Sequence, residues 1–261
     1  MIWENDMMIM AEIQRVVRKA ARLFADRTAT LEIREKSAYN YVTKVDETVQ
    51  QMIREKLSIL YPHIQFMGEE ADNSKIDMNG PVWVLDPVDG TTNLIHDYPN
   101  SAISLAFMNR KEILAGIVYN PFSDEMFYAE KGKGSFLNGK KIHVSNARTM
   151  QESLIAVGTS SYYKEEAEEN FRIFTRIFKD CQDIRRCGCA SLELAYVACG
   201  RIDGFIENHL KLWDYAAGAL IVREAGGKVF NYTGEELPME LDGNVAAGNP
   251  WISKVLTESY L

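Results

Sequence analysis

Apolar residues recur at three- and four-residue steps near the start of the chain: Met8, Ala11, Ile13, Val16, Val17, Ala20, Leu23 and Phe24. That spacing is the face of a helix turned toward a core, and Met7, Met8 and Met10 are read as part of this face or of an interface. The same period returns at Asp46, whose carboxylate can cap a first turn, and runs to Leu60 before Pro62. Between these helices residues 31–43 alternate loosely, as a hairpin would. From Ile64 the pattern becomes that of strands, predicted at 64–67, 82–85, 101–108, 113–119, 125–129 and 135–136. The last three are separated by Asn120-Pro121-Phe122-Ser123-Asp124 and Gly132-Lys133-Gly134, which predicts an antiparallel meander.

After Lys141 strands and helices alternate. Strands are predicted at 154–157, 183–186, 204–206 and 245–247, and helices at 165–178, 190–198, 214–225 and 251–256. Gly200 and Gly226-Gly227 end two of these helices. The fold class is mixed α+β and α/β. An antiparallel-rich N-terminal subdomain, 1–141, and a βα-alternating C-terminal subdomain, 142–261, are layered into one unit. No internal repeat, low-complexity segment or linker interrupts it.

A chain of 261 residues that is 46% hydrophobic can bury a substantial core. Its net charge of −8 argues against nucleic acid as the main partner, because phosphate backbones are held by clustered Lys and Arg. Small anions stay open, since a bound cation reverses the local potential at an acidic site. The segment Met1-Ile2-Trp3-Glu4-Asn5-Asp6 lacks the features of a signal peptide, and no apolar run reaches the ~18 residues of a membrane span. Cys181, Cys187, Cys189 and Cys199 have neither zinc spacing nor a disulfide framework. Reduced thiols and a cytoplasmic location are the expectation.

The chemistry concentrates where strand 82–85 runs into Asp86-Pro87-Val88-Asp89-Gly90-Thr91-Thr92-Asn93. Two carboxylates beside hydroxyls and an amide suit a hard divalent cation such as Mg²⁺, which often completes its shell with substrate phosphate. Gly90 lets the backbone approach a ligand, and amides of Gly90, Thr91 and Thr92 at a helix start would face an anion. Glu69 follows Gly68 after strand 64–67, and Asp214 follows Trp213 where a helix opens. Taken alone, Asp214 reads as a helix N-cap, Asp89 as a turn residue, and Glu69 and Glu70 as solvated charges. Four such acids in one cleft would repel one another unless cations neutralise them. A metal-dependent phosphatase is implied.

Two rival phosphatase chemistries fit less well. Asp86 and Asp89 are spaced D-x-x-D rather than the D-x-D of aspartyl-phosphate enzymes, and no cysteine has an Arg after five intervening residues. His63, His96, His143 and His209 lack ligand spacing and read as surface or packing residues. The acids Glu165, Glu166, Glu168 and Glu169 suit the amino end of a helix.

Three segments together resemble the inositol monophosphatase family over nearly the whole chain. They are Gly68-Glu69-Glu70; Trp83 to Asn93 continuing through His96 and Pro99; and Trp213-Asp214-Tyr215-Ala216-Ala217-Gly218 with Glu224-Ala225-Gly226-Gly227. The resemblance implies a layered αβαβα sandwich and a magnesium-dependent, lithium-sensitive phosphomonoesterase, commonly a homodimer. It implies that Glu69, Asp86 and the Val88 carbonyl hold one Mg²⁺ and that Asp86, Asp89 and Asp214 hold a second. A third, weaker ion would lean on Glu69 through waters. Thr91 would orient the attacking water with Asp46 behind it, and Lys36 would belong to a mobile loop near the site. Glu207, with Gly188, Cys189 and Ala190, would border the alcohol part of the substrate.

Inositol monophosphate is the favoured substrate on this resemblance, because Glu207 suits a polyol. Fructose 1,6-bisphosphate and histidinol phosphate are alternatives. Thr92 departs from the D-G-T-K usual in bisphosphate nucleotidases, which disfavours that branch. A non-catalytic metal-binding regulatory protein is the alternative from another class, and it would leave the four acids without a purpose.

Overall fold

The computed structural model describes residues 6–261, with side chains from Met10 onward. Helix α1 (Asp6–Ala20) tightens into a 3₁₀ turn at Ala21–Ala25 and is followed by the short α2 (Arg27–Leu31). The expected hairpin is present as β1 (Ile33–Ser37) and β2 (Asn40–Thr43), and it leads into α3 (Lys44–Leu60). Next comes a sheet of seven strands in chain order: β3 (Gln65–Gly68), β4 (Pro81–Asp89), β5 (Ala102–Asn109), β6 (Glu112–Asn120), β7 (Glu125–Glu130), β8 (Gly134–Leu137) and β9 (Lys140–Ile142). Only β3 and β4 pair in parallel; the rest is an antiparallel meander, which was expected for β6 to β8 and also takes in β4, β5 and β9. The short helix α4 (Thr91–Ile95) sits between β4 and β5.

The second sheet contains β10 (Leu154–Val157), β11 (Asp183–Arg185), β12 (Gly204–Lys211), β13 (Lys228–Phe230) and β14 (Asp242–Gly248) in the order β11-β10-β12-β14-β13. β10 pairs in parallel with β11 and β12, while β14 runs antiparallel to β12 and β13. The intervening helices are α5 (Ala167–Asp180), α6 (Ala190–Ala198), α7 (Leu212–Glu224) and α8 (Pro250–Ser259).

The period of two along the strands builds the layers. Trp83, Leu85, Ile103, Leu105 and Phe107 face α1 and α3, meeting Val17, Val49, Ile53 and Leu57. The alternate residues Val82, Val84, Ala106 and Met108 turn to the opposite face, onto α6 and α7. Across the second sheet Phe205 joins that middle layer, while Ile155, Val157 and Ile206 pack against Phe174, Ile177, Ile252 and Leu256 of α5 and α8. The architecture is the αβαβα sandwich the resemblance implied. Between two sheets a helix has no wet side, so α7 is buried from Tyr215 through Val222. A Cβ on Gly218 would stand 2.7 Å from Leu194, and one on Gly116 of β6 would stand 2.8 Å from the Ala217 carbonyl. Ala216-Ala217-Gly218 is therefore a packing requirement, distinct from the chemistry of Asp214 beside it.

Some boundaries differ from the pattern. β4 continues through Asp89 instead of ending at Leu85, and its register against β5 slips between Asp86 and Asp89. The expected cap at Asp46 is filled by Thr43, whose hydroxyl accepts from the Val45 amide at 3.2 Å. Likewise α7 starts at Leu212, so Asp214 is the third residue of the helix and not its cap. β9 and β13, three residues each, are too short to show a period. The side chains of Met7 and Met8 lie outside the described residues, and Met10 is buried. Among the described residues no helix is long and apolar enough to cross a membrane. All four cysteines carry free thiols.

Candidate active site

The slip in β4 turns consecutive acids into one space. Asp86 accepts the Val88 amide at 2.9 Å, closing a tight turn around Pro87, and Gly90 leaves the strand at φ 86° to start α4. No residue with a Cβ would adopt that φ without strain, and a Cβ there would press on the Asn100 and Gly188 carbonyls at 3.1 Å. Thr91 then places its hydroxyl 2.9 Å from Asp46 and 3.0 Å from the Val88 carbonyl. Asp46 is held in turn by the Thr43 amide and hydroxyl at 2.8 and 2.5 Å.

The other acids come from separate elements. Glu69 follows β3. Asp214 in the first turn of α7 accepts the Lys211 amide at 2.7 Å. Glu207 lies at the bulge of β12, where one oxygen accepts the Ser160 amide at 3.2 Å. These residues line one cavity of about 480 Å³, together with Lys36, Val88, Gly90, Thr91, Gly188 and Ala190.

Two expected members stand behind its wall. Asp46 is buried beneath Thr91. Cys189 is also buried, and its thiol donates to Asp89 at 3.2 Å beside the Ser191 amide at 2.6 Å. Cys189 therefore bears on Asp89 and not directly on the alcohol pocket, which the resemblance had it border.

Electrostatics set the character of the site. Asp86 is held well above the usual carboxylate range, first by burial and then by repulsion from Glu69, Asp89, Asp214 and Asp46. Burial raises Asp214 too, with Asp89 and Glu69 adding to it. Asp89 is raised by burial although Ser191 and Cys189 donate to it. Burial pushes Asp46 up to about 6 and Glu207 up to about 7.

Lys36 bridges Glu69 and Glu70 at 2.7 and 2.5 Å, which makes it part of the site and not a stray surface lysine. Burial opposes its charge, yet the two glutamates raise it overall. Among the described residues no three acid, His or Cys side chains converge closely enough to hold an ion as they stand. Carboxylates of like charge stay apart until a cation draws them in. In chemistry the set fits a hard divalent cation: the cavity is lined by residues that offer carboxylate oxygens and, at Val88, a main-chain carbonyl.

Several lining residues had no signal in the chain. His209, expected to be bland, adopts φ 57° at the β12 bulge, stacks on Tyr163 with centroids 4.1 Å apart and reaches Glu166 at 2.9 Å. Arg186 enters from the turn before α6 and Tyr162 from the segment after β10. The doublet Arg185-Arg186 before Cys187-Gly188-Cys189 was the only hint available for the first.

A layered αβαβα sandwich with an acid-lined cavity fed by both sheets is the architecture of sugar-phosphatase-type proteins. Within that class the chain belongs to the inositol monophosphatase family, whose description "Inositol monophosphatase family" matches residues 4–261. It is 39% identical over 245 residues to a protein named "Nus factor SuhB" from Escherichia coli (strain K12), covering 93% of this chain and 91% of that protein. It is 38% identical over 228 residues to "Inositol-1-monophosphatase" from Rhizobium meliloti (strain 1021), covering 87% and 85%. Among solved structures it is similar to the extragenic suppressor protein suhB from Bartonella henselae, with a TM-score of 0.87, 33% identity, and 96% and 97% of the two chains covered.

Proposed function

We propose that this protein hydrolyses a small phosphate monoester in a Mg²⁺-dependent reaction, with inositol monophosphate as the preferred substrate. The supporting observation is the set Asp86, Asp89 and Asp214 in one cavity with Thr91 and Glu207: loss of hydration raises all three, and repulsion from neighbouring acids adds to Asp86 and Asp214. In this reading Glu69, Asp86 and the Val88 carbonyl hold one ion, and Asp86, Asp89 and Asp214 hold a second. A third leans on Glu69 through water. Residues 1–141 supply most ligands, and 142–261 bring Asp214 and the alcohol pocket. When bound, Mg²⁺ lowers the pKa of water and offsets charge on the phosphoryl oxygens.

The chain's own groups divide the remaining work. Thr91, held by Asp46, aligns the attacking water and Glu69 draws its proton away; the ester P–O bond breaks as water adds, and the departing alkoxide takes a proton from a second water. Amides of Gly90 and Thr91 receive phosphate oxygens without reorganising. Glu207 takes a hydroxyl of the alcohol, which Gly188 and Ala190 border. No side chain becomes phosphorylated. Lithium sensitivity, a homodimer and a cytoplasmic location belong to the same proposal.

The test is phosphate release from inositol monophosphate, fructose 1,6-bisphosphate, histidinol phosphate and 3′-phosphoadenosine 5′-phosphate, with Mg²⁺ and with or without Li⁺. Fastest turnover of the inositol ester, suppressed by Li⁺, is expected. A phosphoenzyme trapped under burst conditions would overturn direct hydrolysis. The relatives named "Nus factor SuhB" favour a second reading, in which the protein serves a larger assembly. Mg²⁺ binding without turnover of any ester would favour that reading.

A further inference from the structure

Glu193 is a charged residue type in the first turn of α6, yet it is 1% exposed and does not line the cavity. One of its oxygens accepts the Cys187 amide at 2.7 Å. Its other oxygen is buried and has no hydrogen-bond partner. Buried acids are rarely kept without a reason, because an apolar residue of similar volume would cost less.

The turn that Glu193 grips is held from its other side as well. The Cys187 carbonyl accepts from Asn93 at 2.9 Å and from Asn100 at 3.1 Å, and the Gly188 carbonyl accepts from Asn93 at 3.2 Å. Asn93 belongs to α4, which the acid-bearing loop starts. The turn is thereby clamped between the N-terminal acid loop and α6.

Gly188 takes φ 75°, and Arg186 on the near side of the turn enters the cavity, donating to Thr159 at 3.1 Å. Arg186 is an electrostatic neighbour of both Glu207 and Glu193, and Glu207 is the strongest charged neighbour of Glu193. Fixing residues 186–188 therefore fixes the cation that faces Glu207.

We propose that Glu193 is a positioning residue for substrate choice: through the Cys187 amide it sets the turn that places Arg186 opposite Glu207. Its main effect falls on the alcohol end of the cavity, where Arg186 and Glu207 lie. The inference rests on the phosphatase reading. Burial, with Glu207 beside it, also holds Glu193 well above the usual carboxylate range, so a neutral amide is a close mimic.

The experiment compares Glu193→Gln, Glu193→Asp and Glu193→Leu, using inositol 1-phosphate and p-nitrophenyl phosphate, which has no hydroxyls for this end of the cavity. Gln keeps an acceptor at the same reach, whereas Leu leaves the Cys187 amide unpaired. For Leu, KM for inositol 1-phosphate should rise roughly ten-fold, as a displaced turn weakens one charged contact to the alcohol, with kcat changing less than about two-fold. Kinetics with p-nitrophenyl phosphate should stay within about two-fold, and Gln should restore the inositol KM. Asp, one methylene short, should fall between the two and decides the matter if Leu fails to fold. Equal losses on both esters, or no change in any variant, would overturn the proposal. A wild-type protein inactive on both esters would overturn the phosphatase reading first and this inference with it.

Discussion

Asp46→Asn should make the metal-free protein more stable above pH 6 while lowering its turnover. Asp46 is 1% exposed, and loss of hydration is the main reason its carboxyl moves from 3.8 up to about 6. Hydrogen bonds from Thr43 and Thr91 work against that shift, and Glu69 adds to it. A rise of about 2 units corresponds to about 3 kcal/mol. Below pH 3.8 folded and unfolded chains both hold the proton, so the group is neutral to stability. Between 3.8 and 6 the unfolded chain has released its proton and the folded one has not, so stability falls by up to about 1.4 kcal/mol per pH unit. Above 6 the fold carries the whole cost. Asn keeps an oxygen for the Thr43 amide and carries no charge, so about 3 kcal/mol is the ceiling of the gain. For a chain of this size that is up to about 6–12 °C in Tm at pH 8, with almost none at pH 4. Thermal unfolding of both proteins in EDTA across this range measures it. A difference that does not vary with pH, or a variant less stable than wild type at pH 8, would refute the reasoning.

Other perturbations test other parts of the site and fold. Asp89→Asn keeps an acceptor for the Ser191 amide at 2.6 Å, so the fold should survive while phosphate release drops to background and Mg²⁺ binding by calorimetry weakens. Retained turnover would undo the assignment. Lys36→Met removes the bridge to Glu69 and Glu70, so amides of β1 and β2 should exchange faster in EDTA; unchanged protection would contradict a tie through Lys36. Gly116→Val sets a Cβ 2.8 Å from the Ala217 carbonyl, a backbone atom that cannot swing away. Urea unfolding should show a loss of about 1–3 kcal/mol, and wild-type stability would show that the sheet–helix contact is looser than described.

The long periodic elements were legible because burial on one face repeats along them. The period of two in β4 and β5 separates Trp83 and Leu85 from Val82 and Val84, and the structure sends the two sets to opposite layers. The end of β4 and its turn into α4 were legible for a different reason: two acids, a proline and a glycine leave few other uses for such a segment. Cys189 shows where this stops. Its place beside Gly188 suggested a pocket wall, but the start of α6 turns the thiol inward to Asp89. Nothing local distinguishes those two orientations. His209 and Arg186 were missed for the same reason, since each reaches the cavity from a bulge or turn whose direction is set by contacts far along the chain.

What the sequence alone determined, then, is the kind of chemistry and the kinds of layer. Residue types and spacing carry oxygen donors, helix faces and strand faces, all of which are local properties. Tertiary structure decided how the acids stand toward one another. Glu69, the pair Asp86 and Asp89, Glu207 and Asp214 come from four separate places in the chain, and only sheet packing brings them to one cavity. There burial, with their mutual repulsion added to it, lifts Asp86 and Asp214 out of the ordinary range, and Lys36 pairs with Glu69 and Glu70. Carboxylates in water would be screened from one another. Gathered on one cavity wall with much of their hydration lost, the same groups call for a cation.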